Sequence, residues 1–336
     1  MDQKTNLDHY HYNLFPELIA QTAFRPRDHC KLMVLQRKQI EHKKFYEIID
    51  YLNPGDVLIL NETKVRKCRL MGKKKTGGKI EVTLVKEVKS STQPVYQCRI
   101  KGRNLRVSTK LLFSKNKGEI ILQEEGIFYV KFEHRVNEEE CALLTPPYIK
   151  TTVPEKDYQT IFAKVPGSLA APTAGLHFTP ELLKKIGQKG IKIAKIQLDI
   201  SFATFLPVRN FNNHKTGEEY FVVDKKNAAI INSALNAGGK MIAVGTTVVK
   251  CLESCDWVSG KIKPRAGLSK LFIKPGYKFK APLAAMITNF HLPKSSLLLL
   301  TCAYAGRERI LRAYAEAIRK KYRFYSLGDG MMIWKR

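Results

Sequence analysis

Three short segments carry the residue types that chemistry needs. Gly245-Thr246-Thr247 stands where an apolar strand hands over to a helix. Such a turn leaves backbone N–H groups unpaired at the positive end of the helix dipole, so it can hold a phosphate or a carboxylate. An ordinary Thr-capped turn has the same spelling. Gly167 to Phe178 has little bulk before His177, which lets a ligand approach the backbone. His177 is then a candidate general base or ligand contact, although a single histidine is more often structural. Thr288-Asn289-Phe290-His291-Leu292-Pro293 follows an apolar stretch. It places polar groups where ligands sit in α/β proteins, at the C-terminal end of a strand. The alternative is a helix-start turn, with Pro293 near the first helical position.

Other patterns exclude chemistry. Gly72-Lys73-Lys74-Lys75-Thr76-Gly77-Gly78-Lys79 has the flavour of a phosphate loop, but its Lys and Thr are misplaced and it runs into a strand. No dinucleotide fingerprint follows a strand. The seven cysteines (30, 68, 98, 141, 251, 255, 302) are odd in number and scattered, as in a reducing cytoplasm. Cys251 and Cys255 lack a second Cys or His pair, so no metal is expected.

The elements that must position these segments fall into two styles. Lys79–Val85 alternates polar and apolar, and Val95–Ile100, Glu119–Leu122 and Ile127–Phe132 follow as further strands. Gly78, Gly102, Gly118 and Gly126 separate them, with no helix between, which predicts a small barrel. Later the chain alternates helix and strand. Thr179-Pro180-Glu181 spells a helix start and Gly190 its end. Ile191–Ile200 reads as a strand. Asp224 caps a helix running to Gly238-Gly239, and Met241–Val244 is a strand before Gly245. The expected fold is a mixed α/β main domain, residues 1–62 and 149–336, carrying an inserted small β-barrel, residues 63–148.

The chain has 336 residues with 58 Lys+Arg against 30 Asp+Glu, a formal charge of +28. From Lys261 to Arg336 there are 17 basic and 3 acidic residues, and from Thr63 to Tyr148 there are 19 and 9. Basic residues interleaved with aromatics, as in Arg319-Lys320-Lys321-Tyr322-Arg323-Phe324-Tyr325, point to a polyanion, with nucleic acid ahead of a membrane surface. The longest apolar run, Leu297–Tyr304, falls far short of the roughly 20 residues of a membrane span. The N-terminus does not spell a secretory signal. A cytoplasmic protein without membrane association is expected, working as a monomer.

Read together, these segments resemble one family, the S-adenosylmethionine:tRNA ribosyltransferase-isomerases of queuosine synthesis. The likeness runs through Leu14–Thr22, Arg25–Asp28, Pro54–Asp56, Asn61–Val65, Thr76–Lys79 and Pro147–Ile149. It continues through Tyr158–Thr160, Ala170–Thr179, Gly245–Thr247, Pro275-Gly276, Thr288–Pro293 and Tyr322–Phe324. The resemblance implies S-adenosylmethionine as co-substrate, no metal, and tRNA as partner. It implies transfer and isomerisation of the ribosyl moiety onto the aminomethyl-deazaguanine at the wobble position, giving epoxyqueuosine, adenine and methionine. Carried onto this chain, it suggests His177 as base, with Thr173 and Gly175 shaping its pocket. Gly245, Thr246 and Thr247 would hold the methionine carboxylate, with Asn289 and His291 in the same cleft. Arg25, Asp28, Asn61 and Thr63 would contact substrate.

The chain departs from the family pattern in four places. A His-Val-Gly segment is replaced within Leu198-Asp199-Ile200-Ser201-Phe202-Ala203-Thr204-Phe205, leaving Asp199 or a neighbour at the His position. His-x-Met-His-x-Glu is reduced to His214-Lys215-Thr216-Gly217-Glu218-Glu219, keeping His214 and Glu219. A Thr-Asp before Phe-Ile gives way to residues around Ser269-Lys270-Leu271. Tyr-Gly-Asp-Ala-Met becomes Leu327-Gly328-Asp329-Gly330-Met331. Asp199, His214 and Glu219 thus join His177 as catalytic candidates. The alternative is a catalytically impaired tRNA- or RNA-binding relative.

Overall fold

A computed structural model of the chain describes residues 6–37, 39–88, 93–201, 208, 210–211, 214 and 216–335. Phe202 to Phe205 and Lys215, on which two of the departures partly rest, lie outside the described residues.

The chain forms two compact units, residues 1–64 with 146–336, and residues 65–145. The first is built on a nine-stranded mixed sheet. Its order is Arg265–Ser269, Glu219–Val223, Lys192–Leu198, Val57–Asn61, Met241–Val244, Leu283–Asn289, Gly330–Trp334, Lys31–Leu35 and Ile40–Lys44. The four adjacent strands from Lys192–Leu198 to Leu283–Asn289 run parallel. Strands buried on both faces read as continuous apolar runs, and Val57–Leu60 and Met241–Val244 are such runs. Successive side chains point to opposite faces. Val57 and Ile59 therefore join one core cluster, while Leu58 and Leu60 join the other.

The first three helices appear where local signals placed them. Helix α1 spans Pro180–Gln188, with the Thr179 hydroxyl accepting from the Leu182 N–H. Helix α2 spans Lys225–Asn236, with Asp224 accepting from the Asn227 N–H. Helix α3, Thr246–Ser254, follows the Met241–Val244 strand directly. Gly245 makes that abrupt turn with φ +98°, a conformation side chains resist. Helix α4, Ser296–Ala305, takes the longest apolar run and buries it, with Ser295 as cap, so Pro293 lies just before the helix. Helix α5, Arg307–Arg319, packs Ile310, Ala313, Tyr314 and Ala317 inward. No helix among the described residues is long and apolar enough to cross a membrane.

The second unit is a closed six-stranded barrel, Arg69–Lys74, Lys79–Glu87, Val95–Lys101, Lys110–Leu112, Lys117–Glu124 and Ile127–Phe132. All its pairings are antiparallel. The would-be phosphate loop is the first hairpin of this barrel, closed by Lys74 N–H to the Gly78 carbonyl. Arg69–Lys74 and Lys110–Leu112 escaped the sequence reading because neither alternates cleanly.

One reading is corrected. In the basic–aromatic run at 319–325, Tyr322, Phe324 and Tyr325 are core residues. They pack against Phe290 and Tyr148, so Tyr322 and Phe324 are not offered for stacking on a base, whereas Tyr325 lines a cleft. The surplus of basic residues there remains a surface feature, with Lys320 and Lys321 exposed.

Candidate active site

The two adjacent parallel strands Met241–Val244 and Leu283–Asn289 end at the same edge of the sheet. Their C-terminal ends open a cleft of about 1120 Å³, solvent-open mouth included. One wall is the start of α3, Gly245 to Thr247, with Lys250 one turn further on. Another is the Thr288–Leu292 segment, and a third is Ala170–Ala174. Tyr148, Tyr158, Phe272 and Tyr325 supply aromatic surface, and His214 and Glu219 come from the far edge. The hydroxyl of Thr247 is buried with no protein partner.

Of the residues suggested by the sequence, Thr173, Gly245, Thr246, Thr247, Asn289, His291, His214 and Glu219 line this cleft. The others do not. His177 lines a second, smaller cavity with Phe24 and Arg27, and is linked to the main cleft through Asn289. The Asn289 amide nitrogen lies 3.1 Å from the Tyr325 carbonyl, so it is the donor there. Its second hydrogen reaches His177 Nε2 at 3.2 Å. The His177 proton therefore sits on Nδ1, 3.2 Å from the Cys30 sulfur. Asn289 Oδ1 in turn accepts from Thr173 Oγ1 at 3.3 Å. The imidazole thus fixes the amide that faces the cleft. Complete burial, with the charges of Arg27 and Arg323, pushes the His177 pKa down to about 4.

Asp199 accepts from Thr63 Oγ1 at 2.7 Å and from the Gln197 amide at 3.0 Å. Asn61 bonds both backbone groups of Leu198, at 2.9 and 3.0 Å. These groups tie the Val57–Asn61 strand to Lys192–Leu198. Arg25 pairs with Asp157 at 2.6 Å in an exposed bridge. Asp28 accepts from Thr179 Oγ1 at 2.8 Å and so steadies the start of α1. At Gly175 a Cβ would come within 2.7 Å of the Phe162 ring, so that glycine serves packing.

His291 Nε2 lies 2.8 Å from Thr288 Oγ1, and burial lowers its pKa to about 3. His214 is half-buried beside Phe272, ring centres 5.0 Å apart. Burial first, then the charge of Lys250, lowers its pKa. All three histidines are neutral at pH 7 and can accept protons. His214 keeps the most solvent contact.

The sequence reading missed Lys250, which donates to Glu219 within the cleft wall. It stands four residues after Thr246, on the same helix face, and that spacing was the available signal. No group of three or more His, Cys, Asp or Glu side chains able to hold a metal is found among the described residues.

Comparison with known proteins agrees over the whole length. A family model described as "Queuosine biosynthesis protein" matches residues 7–333. The S-adenosylmethionine:tRNA ribosyltransferase-isomerase of Thermoanaerobacter sp. (strain X514) is 44% identical over 96% of this chain and 98% of its own. The enzyme of the same name from Clostridioides difficile (strain 630) matches to the same extent. The crystal structure of the S-adenosylmethionine tRNA ribosyltransferase from Thermotoga maritima superimposes with a TM-score of 0.57 at 33% identity. That match covers 97% of this chain and 99% of the other. The strand-end cleft, the glycine turn into α3 and the barrel all lie within the span matched, and the chain belongs to the queuosine biosynthesis family.

Proposed function

We propose that the chain is an S-adenosylmethionine:tRNA ribosyltransferase-isomerase. It moves the ribosyl moiety of S-adenosylmethionine onto the aminomethyl-deazaguanine at the tRNA wobble position and isomerises it to epoxyqueuosine, with adenine and methionine leaving. The observation that carries this reading is the cleft itself, an aromatic-walled space closed at one end by a helix start. A sulfonium is a soft cation, and aromatic faces attract cations. A carboxylate suits the free N–H groups and partial positive charge of the α3 start. The sulfonium acidifies the adjacent ribose C–H, so a neutral histidine in the cleft suffices as base. His214 is the best placed, because it faces the cleft directly and holds its lone pair with the least burial. His177 acts behind it by holding Asn289.

The residues kept from the altered family segments support an active enzyme. His214 and Glu219 line the cleft, whereas Asp199 lies off it and is engaged by Thr63 and Gln197. The barrel supplies the tRNA surface in this reading. Its first hairpin meets the connection after Lys101 through the Lys74 ammonium on the Arg103 carbonyl, 3.0 Å. It meets the start of the next strand through the Lys75 N–H on the Lys110 carbonyl, 3.0 Å. Lys73, Lys75, Lys79, Arg103, Arg106 and Lys110 are exposed at this end, against Glu124 and Glu125. Such a basic end suits a phosphate backbone.

The test is adenine and epoxyqueuosine formation by purified chain with S-adenosylmethionine and tRNA carrying the aminomethyl-deazaguanine. Product is the expected result. Salt-sensitive tRNA binding without product would instead establish a binding relative.

A further inference from the structure

The cleft wall contains a buried ion pair. The Glu219 side chain is 2% exposed and that of Lys250 12%. Taking two charges out of water costs as much as their attraction returns, and an apolar pair of similar volume would do as well for stability. The pair nevertheless sits where a ligand would touch both members. Lys250 lies one turn into α3, and helical side chains lean towards the N-terminus. Lys250 lines the same cleft as Thr247, whose hydroxyl lacks a protein partner. Glu219 also accepts from the Ser201 N–H at 3.2 Å, so one oxygen is fixed while the other faces Lys250.

We propose that Lys250 and Glu219 form a zwitterion clamp for the α-amino acid end of S-adenosylmethionine. Lys250 takes the carboxylate together with the Thr247 hydroxyl and the α3 start, and Glu219 takes the α-ammonium. The pair is the resting form of the site, each ion neutralising the other until a ligand of matched and opposite charges is inserted between them. The inference rests on the function proposed above, in which the α3 start already takes the carboxylate, and goes further by bringing Lys250 and Glu219 to the amino-acid end of the donor. It also separates the two charges by residue, which a general anion site would not do.

The clamp is tested by calorimetric titration of the full chain with S-adenosylmethionine and with its decarboxylated analogue, which keeps the sulfonium and an ammonium. The wild-type chain is expected to bind S-adenosylmethionine about tenfold to a hundredfold more tightly, the size of one charged hydrogen bond. Lys250→Met is expected to weaken S-adenosylmethionine by that factor and leave the analogue unchanged. Lys250→Arg, which keeps the charge, is expected to retain the preference. Glu219→Gln is expected to weaken both ligands equally, since both carry the ammonium. Equal binding of the two ligands by the wild-type chain overturns the clamp while leaving the function standing. So does equal weakening of both by Lys250→Met, the mark of a purely structural pair. A wild-type chain that binds neither ligand, even with unmodified tRNA bound, overturns the function and the clamp together. The wild-type comparison needs no variant, so it decides the point even where a substitution unfolds the chain.

Discussion

In the α/β unit the charges of the cleft wall are buried and matched, Glu219 against Lys250. In the barrel they stand in solvent and are mostly unmatched in sign, Lys75, Arg103 and Lys110 among them. Buried charge is held in one geometry by the low dielectric around it, so it can discriminate between small ligands. Exposed charge is screened within about 8 Å at physiological salt and cannot fix a small ligand, yet it attracts a polyanion from a distance. The two units therefore suit two tasks, selection of the donor and capture of the RNA.

The sharpest way to break this division is to perturb each unit and read both tasks. His214→Asn is expected to lower kcat by about 10²–10⁴-fold, the usual worth of a positioned base, with tRNA affinity unchanged. Single-turnover adenine release and filter binding would show it. The triple change Lys75→Glu, Arg103→Glu and Lys110→Glu should raise KM for tRNA by roughly a hundredfold at low salt. It should also make the salt dependence of binding shallower by about two to three units of slope. At saturating tRNA the kcat of that variant should match wild type. A drop in kcat from the barrel change, or lost tRNA binding from His214→Asn, would show that the units do not divide the work.

A third prediction concerns stability, and it falls on the α/β unit alone. His177 and His291 are held neutral when folded, with pKa values pushed to about 4 and about 3. An unfolded chain takes up those protons near pH 6.5, so below that pH the unfolded state binds more protons than the folded one. Stability is then full above pH 6.5 and falls as the pH drops towards 4. Each histidine accounts for about 2 kcal/mol between pH 6.5 and 5. Urea unfolding at pH 7 and pH 5 would measure the loss. His177→Gln should remove about half of it.

How far the sequence could be read differs in the same way. Thr179 and Asp224 were legible as helix caps because a cap is settled within three residues. The barrel strands were legible where they alternate, as in Lys79–Val85. What could not be read depended on partners distant in sequence. Lys250 is one of many lysines until the Glu219–Val223 strand brings Glu219 to it, and neither residue signals the other. Tyr322 and Phe324 looked like a nucleic-acid footprint because basic neighbours flank them, but the approach of Phe290 turns them into core. The small residues before His177, Ala170 to Ala174, line the cleft. They could not show that Asn289 stands between the His177 ring and that cleft.

The smallest effects test the comparison most finely. Asp224→Ala removes the cap of α2 and should cost about 1 kcal/mol, visible as a modest fall in Tm with both binding tasks intact. The barrel offers the contrasting case in Glu81, which pairs with Lys101 at 2.8 Å while the Lys101 side chain is 71% exposed. An ion pair that exposed contributes about 0–1 kcal/mol, so Glu81→Gln should leave Tm nearly unchanged. The same substitution frees Lys101 and removes a negative charge from the basic end. If that end meets phosphate, tRNA affinity should rise a fewfold, and the gain should vanish in high salt. A substitution that tightens RNA binding without moving stability is the behaviour expected of a charge placed for capture, and unchanged affinity would place the RNA on another face.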